Sequence, residues 1–111
     1  MAVSPDRVRA LALALQGSSE VPHMHRAAFR TPRKIFLTLG AETHDVTFMF
    51  DPELRDFYCE QAADAFSPVP GGWGRMGMTR CDLKSVDEAT FVSALGAAFA
   101  LARPRARRGS T

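Results

Sequence analysis

His23 and His25 stand two residues apart in EVPHMHRAAFR, the spacing at which a β-strand sends both side chains to one side and offers two imidazoles to a metal. A third ligand is missing. His44 and Cys81 lie far along the chain without supporting spacing, so the histidines read as polar surface or hydrogen-bonded structural groups, and no metal is expected. Cys81 beside Asp82 suggests a nucleophile with a carboxylate neighbour, but Cys81 alternates with Thr79 and Leu83, the pattern of a side chain packed in a core. Gly72, Gly74 and Gly77 satisfy G-x-G-x-x-G. The dinucleotide reading of that motif needs a strand before it and a helix after it, so that helix amides hold a pyrophosphate. Here Pro68 and Pro70 precede the glycines and strand-like residues follow, so they predict a tight turn around Trp73. Glu53, Asp56, Glu60 and Asp64 form the outward stripe of an amphipathic helix, and carboxylates that diverge in this way make no cation cage. No nucleophile has an adjacent base or an oxyanion donor, so no catalytic residue, no cofactor and no enzymatic activity is predicted.

The remaining chemistry is cationic. Between Val21 and Ala41 stand Arg26, Arg30, Arg33 and Lys34 with no acid, and between Ala65 and Cys81 stand Arg75 and Arg80 with no acid. The segment Glu42 to Asp64, by contrast, carries Glu42, Asp45, Asp51, Glu53, Asp56, Glu60 and Asp64 against Arg55 alone. The net charge of +2 is too small to argue for any partner, so this segregation carries the argument. If the basic stretches fold as hairpins, Arg26, Arg30, Arg33, Lys34, Arg75 and Arg80 meet phosphates of double-stranded DNA, and Trp73 stacks or wedges. Such binding is weak and largely independent of sequence. The alternative is a protein-interaction module, in which Trp73, Met76 and Met78 form an exposed apolar patch for a protein partner or for a homodimer.

The elements that must position these residues follow from capping and periodicity. Ser4, Pro5 and Asp6 start a helix in which Val8, Leu11, Ala12 and Leu15 recur at helical spacing, and Gly17 stops it. From Glu20 to Phe50 the period is two. A strand around Ala27 to Arg30, the turn Thr31, Pro32, Arg33, a strand with Ile35, Leu37 and Leu39 on one face, and a strand with Val46, Phe48 and Phe50 inward make an antiparallel meander. Asp51 and Pro52 open a second helix with Leu54, Phe57 and Tyr58 toward the core. Pro68 and Pro70 exclude helix beyond Phe66, Gly71 to Gly77 reads as a loop or hairpin tip, and a strand runs from Met78 to Leu83. Ser85 and Glu88 form a capping box for a last helix with Phe91, Val92, Leu95, Ala98, Phe99 and Ala102 as its apolar stripe.

A chain of 111 residues with 46% hydrophobic and 23% charged residues fits one globular domain over residues 1–103, followed by a basic, disordered tail at 104–111. Arg7 and Arg9 before Ala10 to Leu15 loosely imitate a signal peptide, but Asp6 and the short apolar run favour the helix. No stretch is long enough for a membrane span. The two cysteines, Cys59 and Cys81, read as reduced, largely buried thiols, which makes the cytoplasm the expected compartment.

The segments EVPHMHRAAFR, KIFLTLG and AFSPVPGGWGRMGMTRCDL, with their spacing, the Asp51–Pro52 helix start and the Ala-rich closing helix, resemble the MmcQ/YjbR family of small bacterial proteins over nearly the whole chain. That resemblance implies an α+β, CyaY-like two-layer fold, an antiparallel sheet with helices on one side, and a double-wing mode of DNA binding. The turn Thr31, Pro32, Arg33 is slightly longer than the family pattern, and Met78 stands where the family often carries an aromatic residue.

Overall fold

The computed structural model describes residues 2–103. Along the chain run α1 (Pro5–Leu13), β1 (Ser19–His23), β2 (Arg26–Arg30), β3 (Ile35–Gly40), β4 (Asp45–Phe48), α2 (Pro52–Gln61), β5 (Phe66–Pro68), α3 (Gly72–Arg75), β6 (Thr79–Asp82) and α4 (Glu88–Ala102). Capping residues set the helix starts. Ser4 accepts a hydrogen bond from the Arg7 amide at 3.0 Å, Asp51 accepts one from the Leu54 amide at 2.9 Å, and a proline follows each cap. Gly17, at φ +81°, turns the chain after α1.

The strands form one sheet in the order β1-β2-β3-β4-β6-β5, every pairing antiparallel. One face of it carries Phe29, Leu37, Leu39, Val46, Phe48, Phe66 and Cys81, all buried in a core shared with Val8 and Ala12 of α1, Tyr58 of α2, and Phe91, Ala94, Leu95 and Ala98 of α4. Phe48 sits at the centre of this layer, its ring 5.0 Å from Phe50, 6.0 Å from Phe66 and 5.6 Å from Phe91. The architecture is the α+β arrangement expected from the sequence.

Several local expectations are corrected. Phe29 pairs with Leu37 but Arg30 pairs with Ile35, so β3 carries one extra residue, Phe36. Such a bulge puts two successive side chains on one face. Phe36 therefore joins Leu37 in the core, fully buried and edge-on to Phe99 at 5.5 Å, while Ile35 turns to the opposite face instead of sharing one with Leu37 and Leu39. Strand β1 ends at His23 and Met24 has φ +59°, so His25 lies in a turn and the two histidines do not alternate on a strand. Gly71 to Gly77 is neither a loop nor a hairpin tip: it folds into the single turn of α3, because Gly71 at φ +78° redirects the chain into it. The short edge strand β5 escaped prediction because two prolines mark its end.

The cap of α4 is also different. Asp87 accepts from the Thr90 amide at 2.7 Å, whereas the Ser85 hydroxyl donates to Asp82 at 3.0 Å and Glu88 meets Arg7 at 2.8 Å, so Ser85 and Glu88 make no capping box. Phe57 is 52% exposed on the outer side of α2, and only Tyr58 of that helix is buried. Val92, 44% exposed, likewise stands outside the core stripe of α4.

Candidate nucleic-acid interface

The sheet face turned away from the helices has a different composition. Across it, from β2 to β5, run the directly paired residues Ala28, Thr38, Thr47, Arg80 and Ser67. Toward the β2–β3 turn lies a hollow of about 410 Å³ lined by Ile35, Thr38, Thr47, Met49, Val69 and Met78, with Trp73 on one side and His23 and Arg26 on the other. Trp73 is 60% exposed there. The bulge in β3 supplies Ile35, and α3 supplies the indole.

Glycines hold α3 against this hollow. Gly74 rests on the Val69 carbonyl so closely that a Cβ would overlap it, and Gly77, at φ +117°, rests in the same way on Phe50 and Asp51. Hydrogen bonds from the Met78 amide to the Trp73 carbonyl and from the Val69 amide to the Met78 carbonyl, both 3.1 Å, tie the turn to β6. The G-x-G-x-x-G pattern thus serves close backbone approach around Trp73.

The predicted phosphate-binding cations divide into two groups. Arg26 and Arg80 grip opposite oxygens of one carboxylate: Arg26 Nη1 lies 3.0 Å from Asp45 Oδ1 and Arg80 Nε lies 2.9 Å from Asp45 Oδ2. Thr43 donates to Oδ1 at 2.7 Å, and Arg26 Nε donates to Thr38 Oγ1 at 3.0 Å. Burial pushes the Asp45 carboxyl upward, but the hydrogen bonds from Thr43, Arg26 and Arg80, with the Arg26 charge, outweigh it and hold the carboxyl below its ordinary value. This trio keeps one net positive charge.

The second group lies toward the other end of the strands. Arg30 donates to the Thr31 and Pro32 carbonyls at 3.0 and 3.3 Å, and the Arg33 guanidinium donates to the Leu101 and Arg103 carbonyls at the end of α4. Lys34 and Arg75 are exposed. Among the described residues none of these four meets a carboxylate within salt-bridge distance. Cross-strand pairing puts Asp45 and Asp82 beside Gly40, at the far end of β3 from Ile35, so carboxylates gather away from Arg30, Lys34 and Trp73.

The other candidate residues stand in different surroundings. Cys81 points into the core, its thiol pushed up to about 12, first by burial and then by the Asp82 charge. Asp82 occupies the alternate strand position and accepts from the Lys84 amide and the Ser85 hydroxyl, so the two make no dyad. Among the described residues no three His, Cys, Asp or Glu side chains gather as a metal cluster. A hollow of about 580 Å³ at the β1–β2 turn is walled by Arg9 and Arg26, but Glu20 and Asp45 already compensate both. No helix among the described residues is long and apolar enough to cross a membrane. The basic tail lies outside the described residues.

Sequence reasoning missed Asp45, Thr38 and Thr43 as a polar network, and Ile35, Met49 and Val69 as a lining. One signal was available for the first. Gly40 pairs with Asp45, and a Cβ there would stand 2.5 Å from Arg26 Nη1 and from Thr43 Oγ1, so a glycine ending an otherwise apolar strand marks a crowded spot.

No protein-family model matches the chain, and no curated protein matches it. Among solved structures, it superposes on the Deinococcus radiodurans protein DR2400, described as a DUF419 domain, with a TM-score of 0.74 at 14% sequence identity, over 89% of this chain and 78% of that one. At that identity the likeness concerns the fold alone: the chain has the same α+β architecture as DR2400.

Proposed function

We propose that the chain is an MmcQ/YjbR-like protein that binds DNA weakly and largely without sequence preference, through the end of the open sheet face around Trp73. The DUF419 fold is related to that of the MmcQ/YjbR proteins, which supports the family reading. A single observation carries the DNA reading. Ile35, next to Lys34, lines the same hollow as Trp73 and Met78, so two basic stretches far apart in the chain border one surface. Arg30, Lys34 and Arg75 contact phosphates, Arg33 assists from the end of α4, and Arg26 and Arg80 add the one charge left over by Asp45. Such contacts act at a distance and need no base recognition. The cytoplasm, where DNA lies and the free thiols Cys59 and Cys81 stay reduced, is the matching compartment.

The test is the salt dependence of binding to random-sequence duplex. Three or four phosphate contacts give a slope of log affinity against log salt of about −2.7 to −3.6. A flat response, or no binding at low ionic strength up to roughly 100 μM protein, overturns the reading. A second reading draws on Trp73 and Met76, 60% and 64% exposed: a protein partner or second copy docks on them. Under that reading Trp73→Ala abolishes the association measured by sedimentation, and charge reversal at Lys34 and Arg75 leaves it unchanged.

A further inference from the structure

We infer that the hollow beside Trp73 receives one unpaired base, so that the chain prefers single-stranded to duplex DNA. The inference rests on the phosphate contacts proposed above and says what lies between them. The hollow is lined by Ile35, Met49, Val69 and Met78, by the small polar Thr38 and Thr47, by His23 and Arg26, and by an indole 60% exposed, and no carboxylate lines it. Its volume of about 410 Å³ is within the range of small-ligand sites and holds a base with room for its sugar.

A surface with Arg26 in its wall, the phosphate contacts proposed above beyond it, and mainly apolar and aromatic ground between fits a ligand with anionic edges and a flat, poorly hydrated centre. Duplex DNA offers the anionic edges but keeps the faces of its bases stacked, so the hollow stays hydrated under it. A single strand can turn one base onto Trp73 while its phosphates remain near Arg30, Lys34 and Arg75. Stacking on an aromatic ring accepts every base, so this preference needs no sequence selectivity. The Met49 and Met78 thioethers line the same hollow and suit a base edge against the ring. A peptide partner with an acidic patch would satisfy the border cations but leave the apolar floor without a matching group.

Trp73 is the only tryptophan, so its intrinsic emission reports on the hollow without a label. The experiment titrates the protein with an oligo-dT 12-mer and with the corresponding dA·dT duplex, following Trp73 emission and, separately, the anisotropy of labelled DNA. The expected result is quenching by the single strand with at least fivefold tighter binding than the duplex, which binds with little quenching. Trp73→Ala then weakens single-strand binding on the order of tenfold and duplex binding less than twofold, and Trp73→Phe restores most of the loss. Met78→Ala, which keeps the indole, weakens only the single-strand complex. Equal affinity for the two DNAs with unchanged emission overturns the inference and leaves the phosphate reading standing. Absence of binding to either sinks both. An emission change that follows protein concentration alone assigns the hollow to a second copy and overturns the inference.

Discussion

Asp45 draws Arg26 of β2 and Arg80 of β6 onto one carboxylate, so two of the residues most easily nominated from charge alone keep one net positive charge between them. Its side chain is 12% exposed and its carboxyl sits below the ordinary value of about 3.9. A lowered folded value stabilises the fold above the unfolded value, and that contribution is lost as pH falls through the folded one. Asp45→Asn is accordingly expected to cost about 1–3 kcal/mol in urea unfolding near neutral pH and to flatten the loss of stability as pH falls below the ordinary carboxylate range. The same variant frees one charge on the open face, so its salt slope for duplex DNA steepens by about 0.9. An unchanged slope would place Arg26 and Arg80 outside the interface altogether. Cys81, fully buried, and Cys59, half-buried with its thiol also raised mainly by burial, make a second residue-scale case. A thiol reagent at neutral pH should modify Cys59 slowly and reach Cys81 only on unfolding; prompt modification of both thiols in the native protein would contradict the packing of β6.

At the scale of elements, α3 is too short to be held by its own hydrogen bonds, so its position depends on close contact. Gly74 and Gly72 lie two residues apart in it but meet different surroundings: Gly74 abuts the Val69 carbonyl, while a Cβ on Gly72 would find Arg75 Nη2 at 3.5 Å, an ordinary contact. Gly74→Ala should destabilise the fold by about 1–3 kcal/mol and shift the emission of Trp73, whereas Gly72→Ala should leave both within experimental error. Equal effects of the two would mean that α3 is free to move. The helix starts at Ser4–Pro5 and Asp51–Pro52 were legible because caps act within one turn, whereas the stop expected at Gly17 comes earlier: α1 ends at Leu13 with Ala14 as its cap, and Gly17 turns the chain beyond it. The α4 cap was misread because Ser85 and Glu88 found tertiary partners, Asp82 and Arg7, and left the helix end to Asp87. The bulge at Phe36 was invisible for a similar reason: alternation predicts which residues are apolar, but pairing with β2 decides where one extra residue is accommodated.

At the scale of the whole molecule the acidic stripe of α2 and the basic stretches proposed to meet DNA belong to different elements. The acids Glu53 and Asp56 stand on α2, in the helical layer, while Arg30 lies in β2, Lys34 in the turn before β3 and Arg75 in α3. Location, and not net charge, should therefore control DNA binding. Lys34→Glu with Arg75→Glu is expected to make the salt slope shallower by about 1.8 and to weaken binding at low salt. Glu53→Lys, which raises the net charge by the same step that one of those reversals lowers it, should leave the slope unchanged. An equal and opposite response in Glu53→Lys would mean that the total charge, and no particular surface, attracts the DNA.

The amino-acid sequence by itself determined the fold class, the starts of α1 and α2, the core identity of Phe48, Phe50, Phe91 and Cys81, and the segregation of basic from acidic segments, because caps, periodicity and composition act over a few neighbouring residues. Only the tertiary structure decided which cations remain unpaired, since Arg26, Arg80 and Asp45 belong to three strands that the sheet order brings together. It alone also formed the hollow, whose Ile35 depends on a bulge and whose Trp73 depends on glycines pressed against backbone. Pairing between distant strands is a property of the closed sheet, and no local pattern of residue types encodes it.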